Sequence, residues 1–330
     1  SVEAVDKKGN KSLKKTDNDK VIVVDTDGPK MTVEYSTASN SVDTRKYYTG
    51  DVEVTFTVTE ANFFAEDVKV SVSKDGIAAK PAAVVWKDES ADLHIGKLTL
   101  SGDGDYVVYV EYKDRSDNFM TDDNGNVIGY TDGDVEIRKY KSGIITIDTI
   151  DPVIEVTYDD DKVAAVNTLV DRDGNNRKYY SDTKTATITI TEHNFNADDV
   201  KWNIIAKDVA GNILAINDLH SKSSWSTNGD VHTLTITYPG DANYTFDMAY
   251  TDLATREAVA PETAYFTVDK TAPINLTVDY STSILDTVLE SLSFGFYNAK
   301  MTVTLTAEDP TSEVHSFLYS YLNAAGVSSV

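Results

Sequence analysis

One stretch recurs three times, and its spacing constrains the chain more than any other feature. Val21-Ile-Val-Val-Asp25-Thr26-Asp27-Gly28-Pro29 returns as Ile144-Ile-Thr-Ile-Asp148-Thr149-Ile-Asp151-Pro152, and again as Tyr265-Phe-Thr-Val-Asp269-Lys-Thr-Ala-Pro273. The prolines lie at 29, 152 and 273, so the intervals are 152 − 29 = 123 and 273 − 152 = 121. A period of that size is a module length. In each copy an apolar, β-branched strand ends at Asp, a short polar turn follows, and Pro begins the next strand, where its missing N–H is harmless. The 330 residues therefore divide into the closing strands of a module (1–27), two whole modules (28–148 and 149–270) and the opening part of another (271–330). The end pieces are each too short to make a sandwich, which is the pattern of a segment from a longer repetitive protein.

Within the first whole module about seven short strands are expected. Val52, Val54, Phe56 and Val58 alternate with polar residues, a one-face-in strand. Tyr106, Val108, Val110 and Tyr112 do the same, and Met31–Tyr35, Val68–Val72, Ala82–Trp86, Ile95–Leu100 and Ile144–Ile147 complete the set. The second module rhymes with the first. Lys178-Tyr179-Tyr180 matches Lys46-Tyr47-Tyr48, and Glu192-His-Asn194-Phe195 matches Glu60-Ala-Asn62-Phe63, each Glu standing 12 residues after the second Tyr (60 − 48 and 192 − 180). In the last piece Ile274–Tyr280 and Met301–Leu305 read as strands, with a third near Val314–Tyr321. Seven short strands per module is the count of an immunoglobulin-like sandwich. The fold class expected is all-β, with tandem sandwiches in an extended array.

The motif Ala206-Lys-Asp208-Val-Ala-Gly211-Asn212, its partner Ala4-Val-Asp6-Lys-Lys-Gly9-Asn10, and the closing Phe266-Thr-Val-Asp269-Lys-Thr-Ala-Pro273 carry a family likeness. On these the chain resembles the tandem bacterial immunoglobulin-like modules of large repetitive surface proteins and adhesins. The resemblance implies an extracellular or cell-surface setting and service as stalk, spacer or adhesin. In the second module Asp252-Leu-Ala-Thr-Arg256 stands where Gly-Asn is expected, which leaves that turn's geometry open.

Chemistry is sparse. With no Cys, disulfides and thiolate sites are excluded. The net charge of −24, from 54 acidic and 30 basic residues, argues against nucleic acid and anionic lipid as partners. No apolar run is long enough to span a membrane. The histidines, His94, His193, His220, His232 and His315, show no ligand spacing. Ser71-x-x-Lys74 with Ser116-Asp-Asn118 imitates part of a nucleophile motif, but Lys-Thr-Gly is missing, and no enzyme activity is expected.

Calcium is the one cofactor that the residues suggest, at oxygen-rich turns or at Asp25, Asp148 and Asp269 of the recurrent stretches. Asp171-x-Asp173-x-Asn175 and Asp122-x-Asn124 are oxygen-rich turns, although the first lacks the sixth-position Gly and terminal Glu of an EF-hand. The Glu-x-Asn-Phe corner admits two readings: cation coordination near a module junction, or a structural turn in which Phe63 and Phe195 plug the sandwich. The leading functional expectation is a structural, presenting segment of a bacterial surface protein. The alternatives are a module that itself binds a host protein (an immunoglobulin or matrix component) or a glycan, through a sheet edge or the loops Asp114–Asp134 and Ala215–Asp230, and an accessory region of a carbohydrate-active enzyme.

Overall fold

A computed structural model describes residues 3–13, 24–80, 83–216, 219–281, 302–323 and 326–329. Most of the expected strand Val21–Val24 lies outside the described residues. So do Ala82, Met301 and part of the loop Ala215–Asp230. The chain forms two compact units, Ser1–Thr149 and Ile150–Val330.

Unit 1 is built on β1 (Lys30–Tyr35), β2 (Arg45–Tyr48), β3 (Val52–Thr59), β4 (Lys69–Lys74), β5 (Val85–Asp88), β6 (Leu93–Leu100), β7 (Gly104–Glu111) and β8 (Ile145–Ile147). One sheet has the order β1-β3-β6-β5; the other contains β2-β8-β7-β4, extended by Asn40–Val42 beside β2 and Ile77–Ala79 beside β4. Among these strands every pairing is antiparallel except that of β2 with β8. This order, with the strand near the start of the module lying parallel to the one that ends it, is that of an immunoglobulin-like sandwich.

Alternation explains the packing. Val52, Val54, Phe56 and Val58 on β3 are fully buried, as are Val108 and Val110 on β7. Each apolar side chain taken out of water stabilises the sandwich by roughly 1.5–3 kcal/mol before entropy is counted. The strand expected at Ala82–Trp86 is instead Val85–Asp88, because its register is set by Trp86 opposite Gly96. A Cβ on Gly96 would meet that indole at 2.8 Å, so the glycine is what lets the ring lie on the sheet.

Unit 2 repeats the plan with β9 (Val153–Tyr158), β10 (Asn176–Tyr180), β11 (Lys184–Thr191), β12 (Lys201–Lys207), β13 (Val231–Tyr238), β14 (Ala242–Ala249) and β15 (Ala264–Val268). Its sheets contain β9-β11-β13 and β10-β15-β14-β12, and β10 again runs parallel to β15. Beyond the sandwich, β16 (Ile274–Ser281) pairs with β17 (Thr302–Glu308). The strand expected near Val314–Tyr321 does not form over Val314–Tyr319; Ser320–Asn323 pairs instead with Gly326–Ser329. At the other end Glu3–Val5 and Lys11–Leu13 form a separate hairpin. No helix among the described residues is long and apolar enough to cross a membrane.

One local structure joins these strands again and again. Five-residue turns begin at Asp6, Asp114, Asp122, Asp171, Asp208 and Asp252. In each, the Asp N–H donates to the carbonyl of the fifth residue and the fourth N–H donates back to the Asp carbonyl. The Asp carboxylate accepts the N–H of the fifth residue in all six. The fourth residue must then take a positive φ, which glycine does without penalty. Gly9, Gly125, Gly174 and Gly211 do so at 82–90°. Asp252-Leu-Ala-Thr-Arg256 keeps the same turn without glycine, so Thr255 is held at φ 73°. A β-branched residue there is strained. Thr255→Gly is expected to raise the stability of unit 2 by about 1 kcal/mol, read as a higher denaturant midpoint; an unchanged or lower midpoint would show that Thr255 is not strained.

Candidate metal centre

The Glu-x-Asn-Phe corner follows β3 in unit 1 and β11 in unit 2, where the chain leaves a central strand and turns across the end of the sandwich. At both corners the phenylalanine ring and the glutamate carboxylate meet different neighbours. Phe63 plugs the end as foreseen: it stacks on His94 at 4.2 Å between ring centroids and lies 4.9 Å from Trp86. Phe195 does the same with His232 at 4.1 Å and Trp225 at 4.9 Å. Behind each ring, the histidine Nε2 meets the backbone carbonyl of the corner glutamate at 2.9 Å, His94 on Glu60 and His232 on Glu192.

The glutamate side chain faces the other way, into a knot of carboxylates. Carboxylate oxygens of Asp25, Glu60 and Asp114 all lie within 4.8 Å of one another, and Glu60 and Asp114 are buried. Asp25 is the first aspartate of the first recurrent stretch, and Asp114 opens one of the five-residue turns. Glu60 accepts the N–H of Asn62 at 2.7 Å; Asn62 Nδ2 donates to Asp25 at 3.1 Å; Asn118 Nδ2 donates to Asp114 and to the carbonyls of Asp25 and Asp27. Gly28 lets this junction close, since a Cβ there would meet the Phe119 carbonyl oxygen at 2.3 Å. No Lys or Arg pairs with the three carboxylates among the described residues. Burial, and then the charges of Asp25 and Asp114, push the Glu60 carboxyl above its ordinary value.

Unit 2 repeats the donor set. Glu192 accepts the Asn194 N–H at 2.6 Å, and carboxylate oxygens of Glu192 and Asp252 lie within 4.8 Å, both residues buried. The sequence period sets Asp148 at the position of Asp25. Asp309, following β17, takes the glutamate's place with a shorter arm: it is buried and accepts the Thr311 and Ser312 N–H groups at 2.9 and 2.8 Å. Burial first, with Asp309 and Asp241 nearby, raises the carboxyl of Asp269, the aspartate of its recurrent stretch. Clustered, mostly buried carboxylates with amide and carbonyl oxygens nearby are the donor chemistry of a hard divalent cation such as Ca²⁺.

The turns singled out from sequence are placed differently. Asp122 accepts from Asn124 N at 2.9 Å and Asn126 N at 2.8 Å, so its carboxylate closes its own turn, while Asn124 is exposed. Asp171 accepts from Asp173 N at 3.0 Å and Asn175 N at 2.9 Å, with Arg177 Nε at 3.2 Å; Asp173 is exposed at the tip. Arg177 is buried and also donates to the carbonyls of Tyr244 and Phe266. The convergence of Asp25, Glu60 and Asp114 was missed from sequence, because 35 and 54 residues separate them (60 − 25, 114 − 60). The available signal was that each follows a landmark that recurs in the second module.

No protein-family model and no curated protein matches the chain. Among solved structures, it is similar to a titin I-band fragment at 10% identity, covering 92% of this chain and 88% of that one, with a TM-score of 0.29. Titin tandem immunoglobulin domains align at 6% identity over 74% of this chain and 97% of theirs, with a TM-score of 0.28. A cycloalternan-forming enzyme from Listeria monocytogenes, in complex with a pentasaccharide substrate, aligns at 13% identity over 71% of this chain and 20% of its own, with a TM-score of 0.20. At these scores the immunoglobulin-like assignment rests on the strand order itself.

The Asp171–Arg177 pair yields a pH test. Burial alone would raise the Asp171 carboxyl, but the Asn175 N–H and the Arg177 guanidinium together hold it below the usual carboxylate range. A depressed folded-state value contributes stability that is present above the unfolded value and lost as pH falls through the folded one. Asp171→Asn should therefore destabilise unit 2 at neutral pH by about 1–3 kcal/mol, and the difference should shrink on acidification below about pH 4. Denaturation of both proteins across that range checks it; a difference that does not change with pH would show that the ionised pair contributes nothing.

Proposed function

We propose that the chain is a non-catalytic, structural segment of a bacterial cell-surface protein. Its immunoglobulin-like modules space or present a binding site, and a calcium ion held by Asp25, Glu60 and Asp114 fastens the end of the sandwich to the stretch that precedes it. The observation that carries the reading is the convergence of three carboxylates, two of them buried, with no Lys or Arg beside them among the described residues. Like charges gathered out of water destabilise a fold unless something positive joins them. The recurrence of the same donor types at Glu192 with Asp252, and at Asp269 with Asp309, supports a device belonging to the module rather than to one place in the chain. The −24 net charge suits a solvated surface protein.

Function as a spacer asks for modules that are folded and stiff when the cation is present, and the test follows from that. Calcium at about a hundred times its dissociation constant should stabilise the wild-type chain by roughly 2.7 kcal/mol per site. Glu60→Gln should behave in the opposite sense. It relieves the repulsion, so in excess chelator the variant should melt above the wild type, and calcium should then add less than it adds to the wild type. Terbium(III) luminescence, competed by Ca²⁺, reads binding directly. A melting curve indifferent to both calcium and chelator, with no competed terbium signal, would remove the cation. Specific turnover of a polysaccharide or peptide by the purified chain would overturn the non-catalytic reading.

A further inference from the structure

Unit 2 contains a contact that lies outside the core of its sandwich. After β17 the chain runs through Asp309-Pro-Thr-Ser-Glu313, and this corner lies against the second sandwich instead of facing water. Val209 N–H donates to the Pro310 carbonyl at 3.1 Å. Asn243 Nδ2, on β14, donates to the Thr311 carbonyl at 2.8 Å, while its Oδ1 accepts from Thr267 at 2.6 Å. Arg172 forms an ion pair with Glu313. Thr311 and Asp309 are 6% and 8% exposed, although β16 beside them is exposed along its whole length. Asp309 fixes the corner's shape by accepting two of its backbone N–H groups.

The platform comes from two of the five-residue turns. Arg172 is the second residue of the turn 171–175, and Val209 is the second of 208–212. Unit 1 has turns at the equivalent places, between Asn40–Val42 and β2 and between β4 and Ile77–Ala79, but each has only two residues, Asp43-Thr44 and Asp75-Gly76. The second module's turns are thus three residues longer (5 − 2), and their second residues meet the corner.

We infer that the turns 171–175 and 208–212, with Asn243, are a docking platform for the corner that follows the second strand of the next module, and that this clasp makes the joint stiff. Two backbone-directed hydrogen bonds carry it; the ion pair is solvent-exposed and adds little. Modules in one chain move against each other by default unless such contacts hold them. The clasp uses neutral amides and carbonyls, so it stands whether or not the carboxylates nearby hold a cation.

The chain has no Cys, so spin labels attach only at introduced cysteines. Ser226→Cys on the second sandwich and Thr302→Cys on β17 are both at exposed positions, and the distance distribution between their labels reads the joint in excess chelator. The wild-type background should give one narrow distribution. Replacing residues 208–212 by Asp-Gly, as in unit 1, should broaden it about twofold or more. Asn243→Asp keeps the acceptor for Thr267 but sets a carboxylate against the Thr311 carbonyl, and should broaden it too, which decides the matter if the shortened turn fails to fold. A wild-type distribution already as broad as the variants', or an Asn243→Asp distribution as narrow as the wild type's, would overturn the clasp.

Discussion

A tight turn leaves backbone N–H groups pointing inward with nothing to meet, and in this chain one aspartate carboxylate meets them. Much else depends on that hydrogen-bonding pattern. It fixes where strands reverse, because the same five-residue turn recurs with the fourth residue at positive φ. It places Asp114 and Asp252 at the end of the sandwich, where each lies with the corner glutamate. It also sets Arg172 and Val209 against the corner at Asp309–Glu313. The carboxylate at the head of the turn is therefore a structural part first. Only the two whose surroundings bring further acids together become candidate ligands.

Strand alternation made most of the fold legible in advance. Val52 to Val58 and Tyr106 to Tyr112 sit where their period sets them, because a sheet with one buried face leaves little choice of register. The carboxylate cluster was half legible. The Glu-x-Asn-Phe corner recurs visibly, but its partners lie on other strands, and single-sequence spacing cannot report contacts across a sandwich. The oxygen-rich turns at Asp122 and Asp171 drew attention because donors adjacent in sequence are easy to see. In the fold those oxygens are turned toward their own backbone. His94 and His232 looked scattered because 34 residues separate the first from Glu60 and 40 separate the second from Glu192 (94 − 60, 232 − 192). The loops between differ in length, while the ends do not move.

The two sandwiches solve one packing problem with different chemistry. Where β3 begins with buried Val52, β11 begins with Lys184, whose side chain is fully buried. Its ammonium reaches Asp160 at 2.6 Å, Asp159 at 3.0 Å and the Val163 carbonyl at 2.8 Å, and it lies 4.4 Å from the centre of the Tyr180 ring. A charge at such a depth is tolerated only with partners on several sides. The same strand position can thus be filled by a methyl pair or by a saturated ion pair, so repetition of the fold does not require repetition of the residues.

The parallel pair has a mechanical consequence. In each module the strand that enters the second sheet, β2 or β10, lies alongside the strand that leaves the module, β8 or β15, and both point the same way. A pull applied through the chain drags those two strands in opposite directions along their length. Lys46 N to Ile144 O and Asp148 N to Tyr48 O then bear the load together, as do the bonds around Asp269 N and Tyr180 O in the second module. A hairpin pulled apart at its open end loses its bonds one after another; here they must be sheared at the same moment. Tension meets its greatest resistance at the first movement, before any of the core has been exposed to water.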